Sequence, residues 1–346
     1  MGKAKAESFL ERGAIISLKK DLFLIAWGES TQYETEAQLN PTLPAFYFPD
    51  FFLESPTPWF QYQHHAELNL FELLDLLPSL KMEKAGWQLG HQEEFRKAFD
   101  HFQEPKILEK VVPYSFAYTA EKMTSARLAN SLRSALLNVQ AYEGHLYGQW
   151  EGFQGFLGVT PEILFTYRRE NPTILTTMAL AGTLKPSSTL FLSEKLVLEH
   201  QLVVKFLTQT LNTLGKVRQF PIRYLHLAHL THLMTPMEVE LKHPFQFIPL
   251  VRQLHPTPAL GTFPREKDLR WLRAYARKIP RYVFGAPIGV LWRPLAACYV
   301  AIRQVQWDAR GMRMGAGCGI VKQSRYVEEW EELELKISAI KGVLDL

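Results

Sequence analysis

The chain is expected to fold as an α+β protein built on antiparallel sheets, and three stretches carry that expectation. Near the C-terminus Tyr326, Trp330, Leu333, Ile337, Ile340 and Leu344 recur at alternating steps of four and three. They form one apolar stripe on a helix that runs from Ser324 to the end. Ser193 to Leu214 is apolar on most of its circumference and reads as a second long, deeply packed helix. Ala296 to Trp307 and Arg310 to Val321 read as strands flanking Asp308-Ala309, a tight hairpin. Strands in adjacent runs, mixed with long helices, indicate antiparallel pairing.

The remaining elements follow in chain order. Residues from about 1 to 95 are rich in aromatics and proline, as in Phe46-Tyr47-Phe48-Pro49-Asp50-Phe51-Phe52. They read as short strands joined by turns, with one helix near Leu68 to Leu77. Helices are expected over Glu93 to Phe102 and Thr124 to Val139, then strands over His145 to Trp150 and Gly155 to Tyr167. No internal repeat or low-complexity linker divides the chain, so residues 1–346 are read as a single domain.

Composition narrows the function. At 47% hydrophobic and 21% charged residues, the chain can fill a packed core and is not a disordered one. Lys and Arg number 39 against 35 Asp and Glu, a surplus of four with no basic block, so nucleic-acid binding is not expected. Cys298 and Cys318 lack metal or disulfide spacing and read as small buried hydrophobes in a reducing cytosol. The N-terminus has no apolar signal core, and Ala6 breaks the myristoylation pattern. Pro287, Arg293 and Pro294 interrupt the most apolar stretch, Val283 to Ile302, so no membrane span is expected. The expectation is a soluble cytoplasmic protein. Walker A, dinucleotide, His-Glu-x-x-His and nucleophile-elbow patterns are all missing.

Four features carry chemistry. Glu329, Glu332 and Lys336 share one face of the last helix, well away from its apolar stripe. Two carboxylates so placed offer oxygen ligands to a hard cation; the alternative is a solvated face with a Glu–Lys pair. Glu199 sits in the apolar run Leu196 to Val204, where a carboxylate needs a partner, unless Glu199, His200 and Gln201 form a polar seam facing water. Arg303 ends the apolar run Tyr299 to Ile302; it is either a carboxylate clamp or a sheet-edge arginine. Gly315-Ala316-Gly317-Cys318-Gly319 permits close ligand approach, or else a bulge or tight sheet packing.

The order of these features resembles the chorismate-utilising family, which includes isochorismate, salicylate, anthranilate and aminodeoxychorismate synthases. The resembling segments are Glu109-Lys110-Val111-Val112, Gly158 to Glu162, Leu180-Ala181-Gly182-Thr183, Ser193-Glu194-Lys195 with Glu199-His200, Leu254 to Leu260, Gly315-Ala316-Gly317, and Glu329-Trp330-x-Glu332. They cover residues from about 105 onward; the first hundred match only loosely. The resemblance implies two large antiparallel sheets packed as a sandwich and flanked by helices, acting as a monomer on chorismate with Mg2+. It implies that Glu199, Glu329 and Glu332 hold the metal. Substrate would contact Ala181, Gly182, Thr183, His232, Ala259, Leu260, Arg303, Gly315 and Lys336.

Within the family, Lys110 matches the general-base lysine of isochorismate and salicylate synthases, where amine-transferring members carry glutamine. Ala181 stands where aminodeoxychorismate synthases place a nucleophilic lysine. The segment Leu254-His255-Pro256-Thr257-Pro258-Ala259-Leu260 looks like the isochorismate synthase version of its loop. The resemblance therefore implies an isomerase, an isochorismate synthase serving menaquinone or siderophore synthesis. Salicylate synthase is the alternative; an anthranilate synthase component or a non-catalytic chorismate binder ranks below it. Lys110 would activate water and Glu162 would protonate the departing hydroxyl. The chain departs from the family at Leu196, where an aspartate is usual, at Pro113-Tyr114-Ser115, and at Leu184-Lys185.

Overall fold

The computed structural model describes residues 3–80, 82–103, 108–168, 174–184, 193–266 and 269–346. Among them are the helices α1 (Lys3–Glu11), α2 (Leu70–Leu76), α3 (Gln92–Gln103), α4 (Ser125–Ala141), α5 (Glu194–Leu214), α6 (Phe247–Leu254), α7 (Arg270–Lys278) and α8 (Tyr326–Leu344). Strands of the first half are β1 (Arg12–Lys19), β2 (Leu22–Tyr33), β3 (Ala45–Tyr47), β4 (Trp59–Asn69), β5 (Gln88–Leu89), β6 (Lys110–Val111), β7 (Tyr114–Thr119), β8 (His145–Glu151), β9 (Gln154–Thr160) and β10 (Ile163–Arg168). Those of the second are β11 (Ile174–Leu184), β12 (Gly215–Gln219), β13 (Arg223–His226), β14 (Thr231–Leu241), β15 (Thr262–Phe263), β16 (Pro287–Trp292), β17 (Leu295–Val300), β18 (Gln304–Asp308) and β19 (Gly311–Gly317).

All described pairings are antiparallel. Seventeen strands link in one path, β5-β7-β19-β18-β9-β8-β1-β2-β4-β3-β16-β17-β10-β11-β14, with β12 and β13 side by side on β14. The path doubles back. Ile16, Leu24, Tyr147 and Phe156 from its first part share a buried cluster with Phe46, Ile288, Val290 and Tyr299 from its second. That cluster is the filling of the expected sandwich, and the two sheets are continuous through β2, β4 and β3. The β2–β4 register breaks between Trp27 and Ser30, where Gly28 takes a φ of +86°; a bulge there bends the pair around the corner.

Helices cover the outer faces. Leu70, Phe95, Leu132 and Leu333, from α2, α3, α4 and α8, pack in one cluster, while Leu202, Phe206, Phe247 and Leu250, from α5 and α6, pack in another. The long helices start where side-chain caps allow: Thr124 accepts from Arg127 N–H on α4, and Ser193 from Leu196 N–H on α5. Cys298 and Cys318 are buried and free, in line with the reading from composition. No helix among the described residues is long and apolar enough to cross a membrane.

Several local expectations need correction. Helices α1, α6 and α7 were not foreseen in the sequence. The stretch Gly155 to Tyr167 is two strands, β9 and β10, divided at Pro161-Glu162, and Ala296 to Trp307 is likewise two, β17 and β18. Helix α5 is not packed all round, because Gln201, Lys205, Gln209 and Asn212 face solvent. On α8 the acidic face does not lie far from the stripe. At about 100° per residue it sits roughly a quarter turn from it, so the acids are carried into the protein beside the core. Glu329 is 0% and Glu332 9% exposed, which rules out the solvated-face reading.

Candidate active site

A cleft opens where β11, β14, β19, α5 and α8 meet the segment after α6. Eleven of the residues singled out in the sequence line it: Glu162, Ala181, Gly182, Thr183, Glu199, His232, Ala259, Leu260, Arg303, Gly315 and Lys336. Lys110 and Glu332 lie just behind its wall, paired with Glu199 and Lys336, which line it, and Glu329 lies behind it, paired with Lys195. Arg281 and Phe284 also line the cleft and were missed, as does Tyr114, which the sequence marked as a departure from the family and not as a site residue. Nothing in their local pattern marks them, since three distant segments bring them together. Lys185 lies outside the described residues.

Backbone geometry shapes the first wall. The β11–β14 register shifts between Ala181 and Thr183, and Gly182 sits in the break at a φ of +78°, a conformation glycine adopts without strain. The released Gly182 carbonyl lies 3.3 Å from His232 Nδ1. That contact assigns the imidazole proton to Nδ1 and leaves Nε2 to accept from Arg303, 2.6 Å away. Burial, then the neighbouring Arg303 charge, hold His232 well below its usual pKa, so it stays neutral as the contact requires. Arg303 falls in the gap between β17 and β18 at a φ of +57°, not in a continuous strand. It is strained, partly buried and turned to the cleft, the clamp reading of the two.

Glu199 and His200 are both buried, so the polar-seam reading fails; Gln201 alone faces water. His200 ties α5 to the sheet through Thr235 Oγ1 at 2.7 Å and the Ala181 carbonyl at 3.3 Å. This sets Glu199, one residue earlier, against the cleft. Leu196 points elsewhere. It packs with Leu184 and Leu233, so the missing aspartate has become part of a small apolar cluster.

Behind the wall three lysines alternate with three glutamates. Lys110 Nζ is 3.1 Å from Glu199 Oε1, Lys336 Nζ is 2.8 Å from Glu332 Oε1, and Lys195 Nζ is 2.6 Å from Glu329 Oε1 and 3.8 Å from Glu332 Oε2. Burial opposes the charge on Glu332, but Lys336 and Lys195 outweigh it and hold the carboxyl below its usual range. Glu329 goes the other way, raised mainly by burial. Lys195 was quoted in the sequence without a role. Its spacing of four residues from Glu199 on one helix was the available signal.

Among the described residues no three acid, histidine or cysteine side chains are grouped closely enough to hold a metal ion as they stand. The donor chemistry does fit a hard divalent cation. All three candidate ligands are carboxylates, both Glu329 oxygens are buried without a well-aligned hydrogen-bond donor, and one ammonium, Lys195, is acted on by all three acids.

Lys110 is 0% exposed, held by the pairing of β6 with β15 and by the Val111–Ile320 bridge. Burial lowers its pKa, and Glu199 only partly restores it. Glu162 follows β9 in the Thr160-Pro161-Glu162 corner, and burial pushes its carboxyl up to about 7. Lys110 and Lys336 act on it across the site. A buried lysine with depressed basicity and a buried acid with raised pKa are a base and an acid suited to neutral pH.

Gly319 lets these groups approach. A Cβ there would overlap Glu199 Oε1 and the Lys110 Cε. Gly319→Ala is therefore expected to displace the Glu199 carboxylate and cut kcat/KM about 100-fold, with the far-UV circular dichroism unchanged. Gly315 is close-packed for a different reason, because its missing side chain makes room for Phe116 and Phe284, each 2.8 Å from where a Cβ would stand.

The sequence profile described as "Chorismate binding enzyme" matches residues 72–345. Among characterised relatives, the salicylate biosynthesis isochorismate synthase of Pseudomonas aeruginosa is 31% identical over 221 residues, 60% of this chain and 46% of that protein. Isochorismate synthase MenF of Bacillus subtilis is 31% identical over 205 residues, 55% of this chain and 42% of its own. These matches thus span less than half the length of either relative. The solved structure of the menaquinone-specific isochorismate synthase MenF from Escherichia coli superposes with a TM-score of 0.78 at 19% identity, over 98% of this chain and 90% of that one. At that identity the likeness concerns the fold.

Proposed function

The chain belongs to the chorismate binding enzyme family, and on that premise we propose that it is an isochorismate synthase, an isomerase that turns chorismate into isochorismate. The observation carrying this reading is the opposed pair of buried titratable groups, Lys110 with lowered pKa and Glu162 raised to about 7, at a cleft lined by Arg303 and His232. Water attacks ring C2, the ring double bond shifts, and the C4 hydroxyl leaves. Lys110, neutral, takes the proton of the attacking water. Glu162, protonated, gives its proton to the departing oxygen, so one water enters and one leaves.

The other residues hold the substrate still. Arg303 offers a charged planar fork to the enolpyruvyl carboxylate, and its contact with neutral His232 fixes the fork's direction. Gly182 and Thr183 border the ring. Ala181, where a lysine would form a covalent adduct, has no nucleophile. Glu199, Glu329 and Glu332 would hold Mg2+, which when bound offsets the charge of the ring carboxylate. The reading extends to a cytoplasmic monomer, checked by fractionation and sedimentation. The relatives' names point to menaquinone or salicylate synthesis as the kind of route its product enters.

The test is to incubate the purified chain with chorismate and Mg2+ and separate the products by chromatography. Isochorismate alone is expected. Salicylate with pyruvate would replace this reading with a salicylate synthase, ammonia-dependent anthranilate with an anthranilate synthase. Thermal protection by chorismate without consumption would leave a binding protein.

A further inference from the structure

The carboxylates at the back of the cleft already have cations. Three acids, Glu199, Glu329 and Glu332, face three lysines, Lys110, Lys195 and Lys336, so with all six ionised the buried cluster sums to zero charge. Lys110 and Lys336 each pair with one acid within 4 Å, whereas Lys195 touches two, Glu329 at 2.6 Å and Glu332 at 3.8 Å. It also feels the charge of Glu199, four residues on along α5. Lys195 is thus the one described cation that all the proposed metal ligands share.

We infer that Lys195 is a built-in competitor for the divalent ion, a counter-charge that must leave the Glu329–Glu332 pair before metal can be held there. The inference rests on the proposed Mg2+ site and concerns a residue to which that reading gives no role. The physical case is one of geometry and charge. Mg2+ needs carboxylate oxygens at about 2.0–2.1 Å, and an ammonium lying against the same oxygens takes their lone pairs. A doubly charged ion added to a neutral cluster also leaves two uncompensated positive charges in a low-dielectric site. Withdrawal of one lysine and arrival of the substrate's ring carboxylate would together restore balance, the enolpyruvyl carboxylate being met by Arg303. Lys195 is suited to withdraw: it lies in the first turn of α5 with a side chain 14% exposed, whereas Lys110 is 0% exposed and Lys336, though 20% exposed, is also tied to the Gly317 carbonyl at 2.7 Å. Before the ion arrives, the same lysine keeps two buried acids from facing each other uncompensated. Lys195 is a positioning residue, tuning affinity for metal without touching substrate.

The test uses Mg2+ alone, with the full chain and no chorismate. Isothermal titration of the parent protein, Lys195→Met and Lys195→Arg should show Mg2+ binding about tenfold tighter to the methionine variant, and no tighter to the arginine variant. A purely structural lysine would not separate these two changes in this direction. Thermal denaturation with rising Mg2+ gives a second readout. Lys195→Met should melt lower than the parent without the ion and gain more from it, and Lys195→Gln should behave alike if methionine disturbs the fold. Equal or weaker Mg2+ binding by both neutral variants overturns the inference and leaves the metal site standing. Failure of the parent and all variants to bind Mg2+ removes both.

Discussion

Lys110→Ala is expected to lower kcat for chorismate by about 10³-fold, within the range that loss of a general base produces, with chorismate binding largely retained. The substitution removes a charge as well as a base, and a buried Glu199 left alone is destabilising by about 3–5 kcal/mol. Lys110→Arg separates the two roles. Arginine keeps a cation beside Glu199, which stands 3.1 Å from the lysine nitrogen, yet it cannot give up its proton at neutral pH. Lys110→Arg should therefore melt above Lys110→Ala and still turn over about 10³-fold more slowly than the parent. Rates near those of the parent in that variant would show that Lys110 serves Glu199 as a counter-ion and activates nothing.

Glu162→Gln should cost about 10²- to 10⁴-fold in kcat and also change the shape of the pH profile. The sign follows from the role. A general acid works while protonated; burial lifts this carboxyl to about 7, so the protonated form dominates below that pH and is lost above it. For the parent, kcat/KM should fall about tenfold per unit as pH rises beyond 7, and the residual rate of Glu162→Gln should lack that limb. The product assay measured between pH 5.5 and 9 checks both. A falling limb that survives in the glutamine variant would assign the acid to another group, with buried Glu329, itself raised, as the next candidate.

Much of this architecture was legible beforehand, for reasons that differ among its parts. The stripe on α8 and the hairpin near Asp308 are local patterns; the stripe appears as drawn, with Leu333, Ile337 and Ile340 in the core, while the turn falls one residue later, at Ala309-Arg310, because Asp308 pairs with Gly311. The short, strongly basic α7 was missed because its apolar side is thin: Leu272 and Tyr275 are its buried residues. The break before β18 was invisible because Ala301, Ile302 and Arg303 continue a strand-like run, while tertiary contacts turn Arg303 left-handed. At the site, family resemblance named residues that composition left undecided. Glu199 and Arg303 were balanced between two readings until their burial and orientation were seen.

The chain's own order of residues determined the secondary elements and the chemical types on offer: acids a helical turn apart, a lysine in an apolar run, glycines where backbone must come close. Those properties depend on neighbours within a few positions, which a linear pattern records. Tertiary structure decided which charges meet. Lys110 from a two-residue strand, Glu199 and Lys195 from α5, and Glu329, Glu332 and Lys336 from α8 share one buried cluster. Burial and mutual distance, which shift Lys110 down and Glu162 up, exist after the two sheets have closed, because a charge's cost depends on everything packed around it.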